Sequence, residues 1–225
     1  MGQTIELTAS DGTTFSAYRA DPDGAPKGGV VVVQEIFGVN DHIRSVADGY
    51  AADGYVAVAP ALFDRVRGGV ELRYDAEGID VGRKIAFEDL TVDQVMADIS
   101  AAADCASDGG KVGVVGYCWG GSMCYVASAR MSDEIAAVSG YYGGQIMPHL
   151  EERPEAPLLL HFGSEDKGIP LESVRAIDER WSHIAVHIYD GADHGFNCDA
   201  RASFHSEAAA LAKQRTLAHF AEHLS

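Results

Sequence analysis

The hexapeptide Gly116-Tyr117-Cys118-Trp119-Gly120-Gly121 sets a thiol among small residues, directly after the apolar run Val112–Tyr117 (VGVVGY). Where a strand turns sharply into a helix, the central side chain is lifted clear of the backbone, and glycines two positions to either side let strand and helix approach closely. Cys118 is therefore a candidate nucleophile, with its sulfur near a helix N-terminus whose positive end favours thiolate over thiol. The chain holds 25 glycines, so this match alone does not separate a nucleophile from a buried structural cysteine in a glycine-rich turn.

Two later segments supply the partners such a nucleophile needs. His161-Phe162-Gly163-Ser164-Glu165-Asp166 leaves an apolar run and puts Asp166 at its end. Tyr189-Asp190-Gly191-Ala192-Asp193-His194-Gly195-Phe196 leaves the next run and puts His194 in a glycine-flanked loop. Nucleophile, acid and histidine in that chain order, each after a strand, is the arrangement of hydrolytic triads on α/β sheets. Cys118 would attack, His194 would accept and return protons, and Asp166 would fix the imidazole tautomer. Asp190 is the alternative acid, although it shares a loop with the histidine. Upstream, Val30-Val31-Val32-Val33-Gln34-Glu35 ends on a carboxylate, which is costly at the top of a buried strand unless paired or functional. A structural salt bridge is the plain explanation for Glu35. The connection after this strand and the residue after the nucleophile each supply an oxyanion-hole donor in this architecture, here the backbone N–H groups of Ile36 and Trp119.

The surrounding pattern must position these groups. Gly29–Val33 and residues 56–59 are short β-branched runs, consistent with strands buried on both faces. Residues 42–53 suit a helix ending before Gly54, a C′ glycine. Apolar positions 92, 95, 96, 99, 102 and 103 keep helical spacing as far as Ser107. Val112–Tyr117 is read as a central strand, 120–130 as the helix after it, and 136–141, 157–162 and Ala185–Tyr189 as later strands. Phe204, Ala208, Leu211, Leu217, Phe220 and Leu224 mark a C-terminal amphipathic helix. Residues 64–82 are the least patterned and form an excursion over the top of the sheet. Alternating strands and helices imply an α/β fold, a mostly parallel sheet with helices on both faces. No linker or repeat interrupts it, so residues 1–225 are read as one domain.

Composition narrows the partners. With 17 Lys+Arg against 34 Asp+Glu, the net charge of −17 disfavours a nucleic-acid groove and anionic lipid. No apolar run approaches the roughly 18 residues of a membrane span, and MGQTIELTASDG carries no signal-peptide pattern. Cys105, Cys118, Cys124 and Cys198 are too sparse for a disulfide scaffold, so reduced thiols in a cytoplasm are expected. Four-residue pairs such as His194 with Cys198, or His219 with His223, lack further ligands, and no metal site is assigned. Glycines at 109–110 and 143–144 lack the Lys-Ser or Lys-Thr of a phosphate loop.

Together, Glu35-Ile36-Phe37-Gly38, the Cys118 hexapeptide, the turn from Gly163 to Asp166 and Ala192-Asp193-His194-Gly195-Phe196 resemble the dienelactone hydrolase family. The likeness runs over nearly the whole chain and includes Tyr141-Tyr142-Gly143. It implies a single-domain α/β-hydrolase fold and a carboxymethylenebutenolidase-like enzyme that needs no cofactor. The implied chemistry is opening of a small-molecule lactone or ester through an S-acyl intermediate on Cys118, by a monomer or small homo-oligomer. By the same resemblance Cys118, Asp166 and His194 form the triad, Glu35 contacts the resting thiol, and Phe37, Trp119 and Tyr142 line the pocket.

The family also holds a substrate carboxylate with arginines, one of them four residues after the histidine. Cys198 stands there in this chain and Arg201 three residues later, while Arg83 lies near the position of the other. Either Arg83 or Arg201 supplies positive charge against the acidic background, or the substrate is neutral or cationic. A broad esterase or thioesterase, and a non-catalytic ligand-binding or redox-sensing relative using Cys118, are the alternative readings.

Overall fold

Five runs of Val, Ala, Leu and Gly are buried along their whole length, as such runs require of parallel strands covered on both faces. They are β3 (Gly29–Val33), β4 (Val56–Pro60), β5 (Val112–Tyr117), β6 (Ala137–Tyr141) and β7 (Leu158–Gly163). With β1 (Gln3–Thr8), β2 (Thr14–Ala20) and β8 (Ala185–Tyr189) they make one eight-stranded sheet, ordered β1-β2-β4-β3-β5-β6-β7-β8. Every pairing from β4 to β8 is parallel, while β2 pairs antiparallel with both β1 and β4. The structure is a computed structural model that describes residues 2–225.

Helices cover both faces. Helices α1 (Asp41–Ala52) and α6 (Ser206–His223) share one, where the Tyr50 and Phe220 rings lie 6.2 Å apart. Helices α3 (Val92–Ala106), α4 (Trp119–Arg130) and α5 (Leu171–Arg180) share the other; the Trp181 indole just past α5 donates to the Tyr125 hydroxyl of α4 at 2.7 Å. Glycines set the contact distances. A Cβ on Gly29 would collide with Ala106 of α3, and one on Gly113, across the ladder and pointing the other way, would come within 2.8 Å of the Phe220 ring. Strand order reverses at β3 and β5, and the chain leaves their C-terminal ends for opposite faces. The crevice opened there is where α/β sheets bind ligands.

Several expectations shift by a residue, and three need correction. An N-terminal hairpin, β1–β2, was not anticipated. The excursion over 64–82 runs into α2 (Ala76–Lys84), which continues as a single π-helical turn over Ile85–Asp89. Helix α6 buries Ala208, Ala212, Thr216 and Phe220, whereas Phe204 and Leu211 face solvent, so small residues make much of its inner face. No helix among the described residues is long and apolar enough to cross a membrane.

Candidate active site

Cys118 caps α4 with φ +55° and ψ −117°, a region a side chain adopts only when its surroundings impose it, at about 1–3 kcal/mol. Those surroundings are visible. The Cys118 N–H donates to Tyr141 O at 3.0 Å, and Cys118 O accepts from Ser122 N–H at 3.2 Å. A Cβ on Gly120 would lie 2.6 Å from Val33 O, and one on Gly121 would collide with Tyr141 O. Helix α4 therefore starts between the ends of β3 and β6, and the sulfur stands above β5.

The three separated residues meet above the sheet. His194 Nε2 lies 3.2 Å from Cys118 Sγ, and His194 Nδ1 lies 2.7 Å from Asp166 Oδ2. The other Asp166 oxygen accepts the Gly168 N–H at 2.8 Å, so the buried carboxylate is oriented by its own loop. Asp190 makes no bond to the ring among the described residues. Burial opposes the imidazolium, but the hydrogen bonds and negative charges of Asp166 and Cys118 outweigh it, raising His194 to about 10. Tyr142, at φ +39°, packs edge-on to the imidazole with centroids 5.1 Å apart. Its conformation turns the ring inward among Tyr117 and Phe196, so Tyr142 is wholly buried behind His194 and does not line the cavity as the resemblance implied. Its hydroxyl has no partner among the described residues.

Glu35 and Ile36 come from the connection after β3, and Trp119 opens α4. The N–H groups of Ile36 and Trp119 donate to no acceptor among the described residues, and both residues line the same cavity as Cys118. The Glu35 carboxylate is almost wholly buried and makes no hydrogen bond with the Cys118 sulfur. Instead it accepts from the Tyr74 hydroxyl at 3.1 Å and faces an Arg201 nitrogen at 3.4 Å. No hydrogen bond to the thiol accompanies the contact the resemblance implies; guanidinium and phenol satisfy the carboxylate, and the sulfur's hydrogen bond is with His194. Tyr74 was not singled out in the sequence, because its surroundings carry no periodic signal.

Over the sulfur opens a cavity of about 350 Å³. Phe37 and Trp119 form part of its wall, and Ile79, Arg83 and Phe87 of the α2 excursion overhang it. Arg201 reaches the same cavity from the histidine loop, packed so closely on Gly195 (φ +78°) that a Cβ there would lie 2.5 Å from its guanidinium. Lys167, next to Asp166, completes the set of cations and was also not singled out; its place on the strand-end loop was the available signal.

Residues 15–224 match the model of the dienelactone hydrolase family. The chain belongs to that family. It is 34% identical to a Synechocystis protein assigned as a carboxymethylenebutenolidase, over 94% of this chain and 93% of that one. It is 33% identical to the carboxymethylenebutenolidase of Pseudomonas putida, over 95% and 93%. A Klebsiella pneumoniae structure assigned to the dienelactone hydrolases superposes with a TM-score of 0.84 at 30% identity, covering 98% of this chain and 100% of that one.

As a dienelactone hydrolase family member the chain is a hydrolase acting on ester bonds, in a family that takes small-molecule esters or lactones. Cys198, at the expected arginine position, is buried; burial and the charge of Glu35 push its thiol up to about 11. Arg201, from three residues later, brings the guanidinium instead.

Proposed function

We propose that this hydrolase uses Cys118 as its nucleophile and opens an anionic lactone or ester through an S-acyl intermediate. One observation carries the reading: His194 bridges the sulfur of a strained elbow at 3.2 Å and a buried carboxylate at 2.7 Å. Transfer of the thiol proton to His194 gives a thiolate beside an imidazolium, which Asp166 stabilises. The thiolate attacks the carbonyl carbon, and the developing oxyanion accepts from the Ile36 and Trp119 N–H groups. Each such donor is worth roughly 10²–10³ in rate. Collapse expels the alkoxide or enolate, which takes its proton from His194 and, in a lactone, stays tethered to the acyl chain. Neutral His194 then removes a proton from water, the hydroxide attacks the thioester, and thiolate and acid are released.

Arg83 and Arg201 favour an anionic substrate over the neutral or cationic one that the overall charge suggests. They oppose the acidic background where it matters, and Arg83 has no acceptor of its own among the described residues. Glu35 is a positioning residue in this scheme, holding Arg201 against the histidine loop. The test is steady-state hydrolysis of a panel of aryl esters and unsaturated lactones by the protein and by Cys118→Ala and His194→Gln. Loss of at least 10³-fold in kcat with an unchanged far-UV spectrum is expected. Comparable turnover in Cys118→Ala would sink the proposal.

A further inference from the structure

The cavity holds two cations whose side chains have no ion-pair partner among the described residues. Arg201 is engaged by Glu35, Asp166 by His194 and Gly168, and the Asp193 carboxylate by the His194 N–H at 2.6 Å. Arg83 and Lys167 make neither a hydrogen bond nor an ion pair among the described residues, although the chain has twice as many acidic as basic side chains. Both are exposed, and other cations such as Arg67, Arg73 and Arg175 also lack an ion-pair partner among the described residues; what sets Arg83 and Lys167 apart is that they line the cavity that contains Cys118.

Their places in the fold set them on opposite sides of the sulfur. Arg83 hangs from α2 with Ile79 and Phe87, above the wall built by Ile36 and Phe37 after β3. Lys167 leaves the end of β7, two strands beyond β5 in the sheet order. Two strand spacings put the ends of β5 and β7 about 10 Å apart, within reach of a lysine stem and a short acyl chain. Uncharged Gly144, Gly168 and Ile169 line the same cavity, together with the triad residues and Asp193.

We infer that the substrate carries two carboxylates flanking its scissile ester or lactone bond, one met by Arg83 and the other by Lys167. This rests on the hydrolase reading above and adds Lys167 as a specificity-determining residue. A rim pair of this kind contributes through attraction to the charged group and acts in both ground and transition states. Its loss therefore raises KM more than it lowers kcat.

Four esters separate the contributions: phenyl acetate, phenyl hydrogen glutarate, 4-carboxyphenyl acetate and 4-carboxyphenyl hydrogen glutarate. The measured quantity is kcat/KM for each charged ester divided by that for phenyl acetate. Lys167→Met is expected to lower this ratio about three- to tenfold for the doubly charged ester and for one of the singly charged ones, mainly through KM. Arg83→Met should do so for the doubly charged ester and the other singly charged one. Lys167→Arg should restore the ratio, and added salt should lower it in the parent protein more than in Lys167→Met. Ratios unmoved by Lys167→Met, or moved equally for both singly charged esters, overturn the inference while Cys118-dependent turnover leaves the hydrolase reading standing. If the parent protein cleaves none of the four, or Cys118→Ala cleaves them all, the hydrolase reading fails with it.

Discussion

Replacing Arg201 by methionine removes the cation that faces a buried carboxylate. At 3.4 Å the Glu35–Arg201 pair is worth about 5 kcal/mol of attraction at an effective dielectric of 20. Two features reduce that figure: the Arg201 side chain keeps 21% of its exposure, so water screens the pair, and the Tyr74 hydroxyl stays on the carboxylate. The expected loss is about 2–3 kcal/mol, in line with the cost of stranding one partner of a largely buried pair. For 225 residues this corresponds to a melting temperature lowered by about 4–12 °C. Glu35→Gln leaves Arg201 able to turn to water and should cost about 1 kcal/mol. In the Glu35→Gln background, Arg201→Met should then cost little, giving a coupling of about 1–2 kcal/mol by urea denaturation of the four proteins. Equal losses in both backgrounds, within about 0.5 kcal/mol, would show that Arg201 does not hold Glu35, and the account of why the sulfur is left to His194 would be wrong.

Gly120→Ala should destabilise by about 3 kcal/mol in urea titration, since the new Cβ would lie 2.6 Å from Val33 O and must push α4 off β3; a loss below about 1 kcal/mol would mean the elbow is not tightly packed. The His194 ring, followed by NMR, should remain protonated at pH 8, and Cys118→Ala and Asp166→Asn should each lower its titration. Because its folded value is raised above the usual 6.5 to about 10, its stabilising contribution is complete below pH 6.5 and is lost as pH rises through about 10. Flat stability between pH 7 and 10 that Asp166→Asn leaves unchanged would contradict this. Tyr142→Phe removes a buried hydroxyl without a partner and should leave stability unchanged or raise it by about 1 kcal/mol; a drop of more than that would reveal a partner the hydroxyl depends on.

The meeting of Cys118, Asp166 and His194 and the five central strands were legible because their signals are local. Five- and six-residue apolar runs ending in Gly, Cys, Asp or His mark strand ends, and chain order does the rest. The N-terminal hairpin escaped because β2 buries Phe15, Ala17 and Ala20 but keeps Ser16 and Tyr18 partly covered, which blurs the two-residue alternation. Helix α2 escaped for a different reason. Its Gly78 and Gly82 weaken the helical pattern, yet both are required by close approach: a Cβ on Gly82 would collide with Ile36 O and one on Gly78 with Arg73 O. Those approaches bring Arg83 to the cavity, so the feature that hid the helix also places that side chain. The partner of Glu35 was illegible because it depends on how the loop after His194 folds. Spacing along the chain put Cys198 where an arginine was expected, whereas the guanidinium of Arg201 arrives through space by packing on Gly195.

The central claim is that acyl groups pass through the Cys118 sulfur, and rapid-quench intact-mass spectrometry with an activated aryl ester tests it most directly. The account predicts a single acyl mass added within the first turnover, mapped by proteolysis to Cys118, decaying as free acid appears and absent from Cys118→Ala. Continued hydrolysis with no mass added, or an adduct that forms and never releases acid, would contradict it.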